Sequence, residues 1–166
     1  TGAQATVVAT GLADRLELTG RRPATLVGMA SRVSIQTAEI PEFEIGSRTL
    51  NIMTAPMLAR ANIGGADGIL GLDSLQGQRV LLDFVNDRIS VADADEVGRG
   101  NGYEIIVKAH TKLGQLIIAD ARVDGIRTAV IVDTGAQGSI GNIALLDRLR
   151  RNRDLGSTEM TDVNGK

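Results

Sequence analysis

The chain has 166 residues, 43% hydrophobic and 23% charged, with a net charge of −2. It can bury a core, and it lacks the basic surplus of a nucleic-acid or anionic-membrane binder. With no Cys and a single His (His110), disulfides, thiol nucleophiles, Cys-based zinc sites and His-rich metal sites are excluded, which leaves carboxylates as the main chemical resource. Three aromatics (Phe43, Phe84 and Tyr103) are too few for a base-stacking platform, and no apolar run reaches the roughly 18 residues of a membrane span. No charged start followed by an apolar run marks a signal peptide, and Thr1 is not a natural start residue, so the chain reads as cut from something longer.

In chain order, residues 10–16 read as a short helix. Residues 34–40 alternate loosely, and 43–48 followed by 50–53 suggest a hairpin. Ile69-Leu70-Gly71 reads as an apolar strand ended by glycine, with Asp73 placed to cap a helix. Residues 80–84 and 88–91 flank Val85-Asn86-Asp87, a second hairpin signal. Residues 93–102 are acidic and then Gly-rich, without apolar period, and read as a linker. Gly98-x-Gly100 precedes a strand, not a helix, so it reads as flexible connection and not a phosphate loop. Residues 103–107, 114–121 and 129–132 are Ile- and Val-rich strand candidates, with a turn at Asp124-Gly125. A helix is predicted over 143–151, with Leu145, Leu146 and Leu149 on one face. The fold class is mostly β, with many short strands.

An internal repeat runs through this pattern. At a constant offset, Thr1, Gly2, Ala3, Gln4, Leu12, Asp14, Arg15 and Leu16 recur as Thr134, Gly135, Ala136, Gln137, Leu145, Asp147, Arg148 and Leu149. Thr25 falls on Thr158 in the same register. A duplicated unit is the simple explanation. It divides the chain into a first lobe over 1–92 that lacks its start, a linker over 93–102 and the opening of a second lobe over 103–166. Asp133 precedes Thr134, and its counterpart would stand one residue before Thr1.

The strongest local signal is the apolar run 129–132 leading into Asp133-Thr134-Gly135-Ala136. A carboxylate at the end of a buried strand must be paired, hydrogen-bonded or protonated, because burial disfavours the charged form. Asp followed by Gly is also the ordinary chemistry of a turn after a strand, so the run alone leaves both readings open.

Taken together, Asp133-Thr134-Gly135-Ala136, the shortened Thr1-Gly2-Ala3 and Ile69-Leu70-Gly71 resemble the retropepsin-like aspartic peptidases. The downstream Leu82-Asp83-Phe84 hairpin looks like the closing strands of that family. The resemblance implies a closed β-barrel-like lobe, two lobes about a pseudo-twofold axis, and one Asp from each lobe or subunit. It implies that Asp133 is one catalytic acid, with Thr134, Gly135, Ala136, Thr1 and Gly2 supporting the dyad and Ile69, Leu70 and Gly71 packing behind it. The second acid is then the residue before Thr1 or comes from a second copy of the chain, so the segment by itself is expected to be inactive. Asp67, Asp73, Asp83 and Asp120 lie outside the motif.

The resemblance also implies flaps, at 25–40 with Gly28 near a bend and at 160–166 with an Asn164-Gly165 turn. Both segments read equally as surface hairpins. Peptide or protein substrates, homodimerisation or pairing of lobes within one chain, and no metal or other cofactor are expected, as is a periplasmic or secreted location. The contrasting expectation is an inert β module that binds peptide or self-associates. Arg148, Arg150, Arg151 and Arg153 read as the solvated side of a helix. His110 reads as an exposed residue before a turn, and Asp93, Asp95 and Glu96 lack the spacing of a calcium loop.

Overall fold

The computed structural model describes residues 2–29, 31–46, 48–93, 110–112, 115–149, 153 and 156–165. Most of its regular structure is strand. Strand β1 (Val7–Ala9) is buried along its whole length, as the β-branched pair Val7-Val8 favours. It passes directly into helix α1 (Thr10–Arg15), whose Ala13 is buried. Beyond the helix Glu17 takes φ 51° and the chain reverses. Strands β2 (Arg22–Val27), β3 (Arg32–Ile45) and β4 (Arg48–Leu58) follow as an antiparallel meander. Register shifts interrupt the β3–β4 ladder between Ala38 and Ile40 and between Ile40 and Phe43. Pro41, which has no N–H to donate, lies within the second shift.

Strand β4 then pairs in parallel with β1, and β5 (Gly68–Ile69) pairs antiparallel with β1 on its other side. The sheet order is β2-β3-β4-β1-β5. Strands β6 (Gln78–Asp83) and β7 (Arg88–Asp93) form a separate hairpin. Strands β8 (His110–Lys112), β9 (Gln115–Val123) and β10 (Ile126–Ile131) form a third sheet, ordered β10-β9-β8. The β9–β10 turn places Asp124 at φ 48° and Gly125 at φ 77°, the left-handed geometry that an Asp-Gly pair tolerates. Among the described residues no ring of strands closes into a barrel.

The core lies against the five-stranded sheet. Val8, Ala13, Ala38, Ile52, Ala55 and Met57 are buried there, with Leu12, Leu18, Ile40 and Phe43 packed on their rim. Ala13, Ala38 and Ala55 have no exposed surface. Their small side chains let α1 sit close on β3 and β4, so the apolar contribution comes mainly from Val8, Ile52 and Met57 at about 1.5–3 kcal/mol for each fully buried side chain.

The second hairpin and the Asp124-Gly125 turn fall where the sequence places them. The hairpin read from 43–53 is real but longer, spanning β3 and β4. Three expectations are corrected. The predicted helix over 143–151 is only α2 (Ile143–Leu146), capped by the Asn142 side chain on the Leu145 N–H at 2.9 Å; the Leu periodicity runs on past its end. His110 belongs to strand β8, not to a turn, and pairs with Ile117. The run leading to Asp133 is not buried: Ile131 is 46% and Val132 38% exposed. Strand β10 alternates half-buried and exposed residues, so only one of its faces is covered. The linker, apart from the backbone of Asp93, and the strand candidate at 103–107 lie outside the described residues.

Candidate active site

Asp133 follows β10 and Val132. Its side-chain Oδ1 accepts the Gly135 N–H at 2.9 Å, the local turn that an Asp-x-Gly sequence makes. The Ala136 N–H closes the same turn on the Asp133 carbonyl at 3.3 Å. The same Oδ1 also accepts the N–H of Gly2 at 2.9 Å, from the far end of the chain. Gly2 and Gly135 are the equivalent glycines of the repeated Thr-Gly-Ala-Gln, so one carboxylate oxygen ties the two copies of the turn together. A side chain at Gly2 would overlap Asp133 Oδ2, so only glycine fits so close to the carboxylate. Two N–H donors stabilise the ionised oxygen. Asp133 itself is exposed, which corrects the expectation of a buried acid. The β10 edge brings it to the surface where Gly2 meets it.

The Ile69-Leu70-Gly71 segment lies directly behind the first turn. The Leu72 N–H donates to the Ala3 carbonyl at 3.0 Å and the Asp73 N–H to the Gln4 carbonyl at 3.2 Å. Gly71 donates its N–H to Thr6 Oγ1 at 3.0 Å, and a Cβ there would overlap the Ala5 and Thr6 backbone. Ile69 pairs with Val7 across the β1–β5 ladder, and Leu70 is half-buried.

Asp73 does not cap a helix. The short 3-10 turn Leu72–Ser74 starts from Gly71 with no side-chain cap. Instead the Asp73 carboxylate accepts the Thr6 N–H at 2.9 Å with both oxygens and the Thr6 hydroxyl at 2.7 Å. It also takes the Ser74 N–H at 2.8 Å, and the buried Ser74 and Thr6 hydroxyls lie 2.6 Å apart. Sequence reasoning missed this clamp. Its signal is the Asp two residues after Ile-Leu-Gly, together with a hydroxyl residue a few places past the turn.

A second bridge between the two halves was not read from the sequence. It joins the bend between β2 and β3 to residues 162–165. The Ser31 hydroxyl donates to Asp162 Oδ2 at 2.8 Å. The Asn164 side-chain amide donates to the Ser31 carbonyl at 3.2 Å and meets its hydroxyl at 2.8 Å.

Of the residues singled out in the sequence, Gly2, Asp133 and Gly135 are brought together, with Ala136 in the same turn, and Ile69, Leu70 and Gly71 stand behind the Gly2 turn. Thr1 lies outside the described residues. Among the described residues no partner takes up the Thr134 hydroxyl. Asp67 is elsewhere, 3.5 Å from the Arg60 guanidinium, and Asp83 lies in the β6–β7 hairpin. Among the described residues no group of three or more acidic, His or Cys side chains could hold a metal ion, and no helix is long and apolar enough to cross a membrane.

Residues 1–74 match the model of a family described as aspartyl protease. The match covers the first turn, the five-stranded sheet and the segment behind the turn. No curated protein and no solved structure matches the chain.

Proposed function

From the aspartyl-protease character of residues 1–74, a stretch of aspartic peptidase of the retropepsin type, we propose that the chain is part of an aspartic endopeptidase in which Asp133 is one of two catalytic acids. The observation that carries this reading is the Asp133 carboxylate, which receives an N–H from each copy of the Thr-Gly-Ala turn. Such an arrangement suits two duplicated lobes of closed-barrel type about a pseudo-twofold axis. The second acid then belongs to the position before Thr1 or to a second copy of the chain.

Two carboxylates at hydrogen-bonding distance do not both ionise and share one proton. The ionised acid takes a proton from a water molecule held between them, while the protonated acid donates to the peptide carbonyl and the water attacks. The pair titrates as a unit, and its two apparent pKa values belong to neither residue alone. Gly2 and Gly135 keep the turns free of side chains, so an extended substrate backbone can approach. Thr134 and Ala136 complete the second turn, Thr1 the first, and Ile69, Leu70 and Gly71 support the first from behind. A peptide held by strand-like backbone bonds is the matching substrate class.

In the full-length protein, Asp133→Asn should reduce peptide cleavage by at least the roughly 10²–10⁴-fold typical of one acid–base group. Turnover of a protein substrate by that variant at the unsubstituted rate rejects the reading.

A further inference from the structure

We infer that Ser31, Asp162 and Asn164 form a polar latch that holds two hairpin tips together on the local twofold axis and closes the approach to the Asp133 turn. The role as a gate rests on the peptidase reading, whereas the latch itself rests on geometry alone. Ser31 and Asn164 are 133 residues apart, and 133 is also the offset that relates Gly2 to Gly135 (135 − 2) and every other repeated pair. In two units related by a twofold axis, a residue can touch its own equivalent only on the axis. Ser31 touches Asn164, its equivalent, and Asp133 binds the equivalent glycines Gly2 and Gly135. The latch and the acid-bearing turn therefore mark two points on one axis, and a chain reaching Asp133 along that axis must pass between the tips.

The chemistry of the latch is specific. Asp162 is oriented by the Asn164 N–H on its Oδ1 at 2.9 Å, which leaves Oδ2 to accept the Ser31 hydroxyl at 2.8 Å. The Gly28 N–H bonds the Ser31 carbonyl at 2.9 Å and shapes the opposing bend. A side chain at Gly28 would overlap the Asp162 carboxylate and the Asn164 amide, so glycine is what allows the two tips to meet. The contact is also releasable. Among the described residues the buried Asn164 Oδ1 has no hydrogen-bond partner, and an unmet buried acceptor costs free energy that opening to water restores.

Met29 and Met160 flank the latch and are 72% and 59% exposed. Because the chain has no Cys, spin labels can be placed on Met29→Cys/Met160→Cys alone. Electron paramagnetic resonance of this labelled full chain should give one narrow distance distribution. Adding Ser31→Ala and Asn164→Ala should broaden it and shift it to longer distance. A distribution broad from the start, or unchanged by those two substitutions, overturns the latch. Bridging the two thiols with a short reducible reagent should abolish casein cleavage, and reduction should restore it; undiminished cleavage while bridged overturns the gate. Absence of casein cleavage by the reduced, unbridged protein counts against the peptidase reading, and the resonance measurement then decides the latch by itself.

Discussion

Asp73 is the residue on which the first turn depends most directly. Its carboxylate takes both hydrogens that Thr6 can offer, and Thr6 is 3% exposed, so no water replaces that partner. Removing the carboxylate strands a buried N–H and a buried hydroxyl at the foot of the turn that carries Gly2. Leaving a buried donor unsatisfied costs about 1–3 kcal/mol. Asp73→Ala should therefore lower the urea midpoint by a stability loss of that order, and Asp73→Asn, which keeps one acceptor oxygen, by less. Equal losses in the two variants would mean that the carboxylate packs without acting as an acceptor. The role could not be read from the sequence. An Asp at the start of a short turn looks like a cap, and its partner stands 67 residues away.

At the level of elements, the β6–β7 hairpin shows which features a sequence makes legible. Its two strands and its turn are local, so Val80 to Val91 carry the whole signal. Within the turn the Asp83 carboxylate accepts from the Asn86 side-chain amide at 2.7 Å and from the Asn86 and Val85 N–H groups at 3.1 Å. The Asn86 side chain is the main cause holding the Asp83 pKa below its ordinary value, followed by the Asn86 N–H, with Arg88 adding a favourable charge. A carboxyl lowered on folding stabilises the fold fully above its unfolded-state pKa, and that contribution disappears as pH falls through the lower, folded value. The Asp83 carboxyl, followed by NMR, should titrate below the unfolded chain, and Asn86→Ala should move its midpoint upward. A midpoint unmoved by Asn86→Ala would assign the shift to another group. Elements whose partners are distant were less legible. Strand β1 is only three residues long and is defined by β4 and β5 on either side. The length of β3 was hidden by Pro41 and the register shifts around it. The Asp133 turn was visible because Asp-Thr-Gly is local and repeated, but its exposure was not, because burial is set by what covers the second face of β10.

Across the whole molecule the stabilising contacts are unevenly distributed. The buried hydrophobic cluster belongs to residues 8–57. On the other side of the linker, β10 is half-covered at most, and Ile143 and Leu146 are 76% and 48% exposed. The described hydrogen bonds that cross between the two parts are those at Asp133 and at Ser31, and they are polar and close to solvent. A structure built this way does not open as one unit, because regions with few buried apolar contacts reach their open states at lower free energy. The amides of β1 and β4, which lie inside the five-stranded sheet, should exchange with deuterium most slowly, and those of β10 through local openings of smaller free energy. Ile52→Ala leaves a cavity beneath β4 and, at about 2–5 kcal/mol for such a truncation, should speed exchange throughout β1 and β4. It should leave the already faster β10 amides nearly unchanged, because their openings do not pass through that core. Equal acceleration in β10 would show that the crossing bonds at Gly2 and Ser31 couple the two parts into a single cooperative unit, and the Asp133 turn would then share the full stability of the core beneath it.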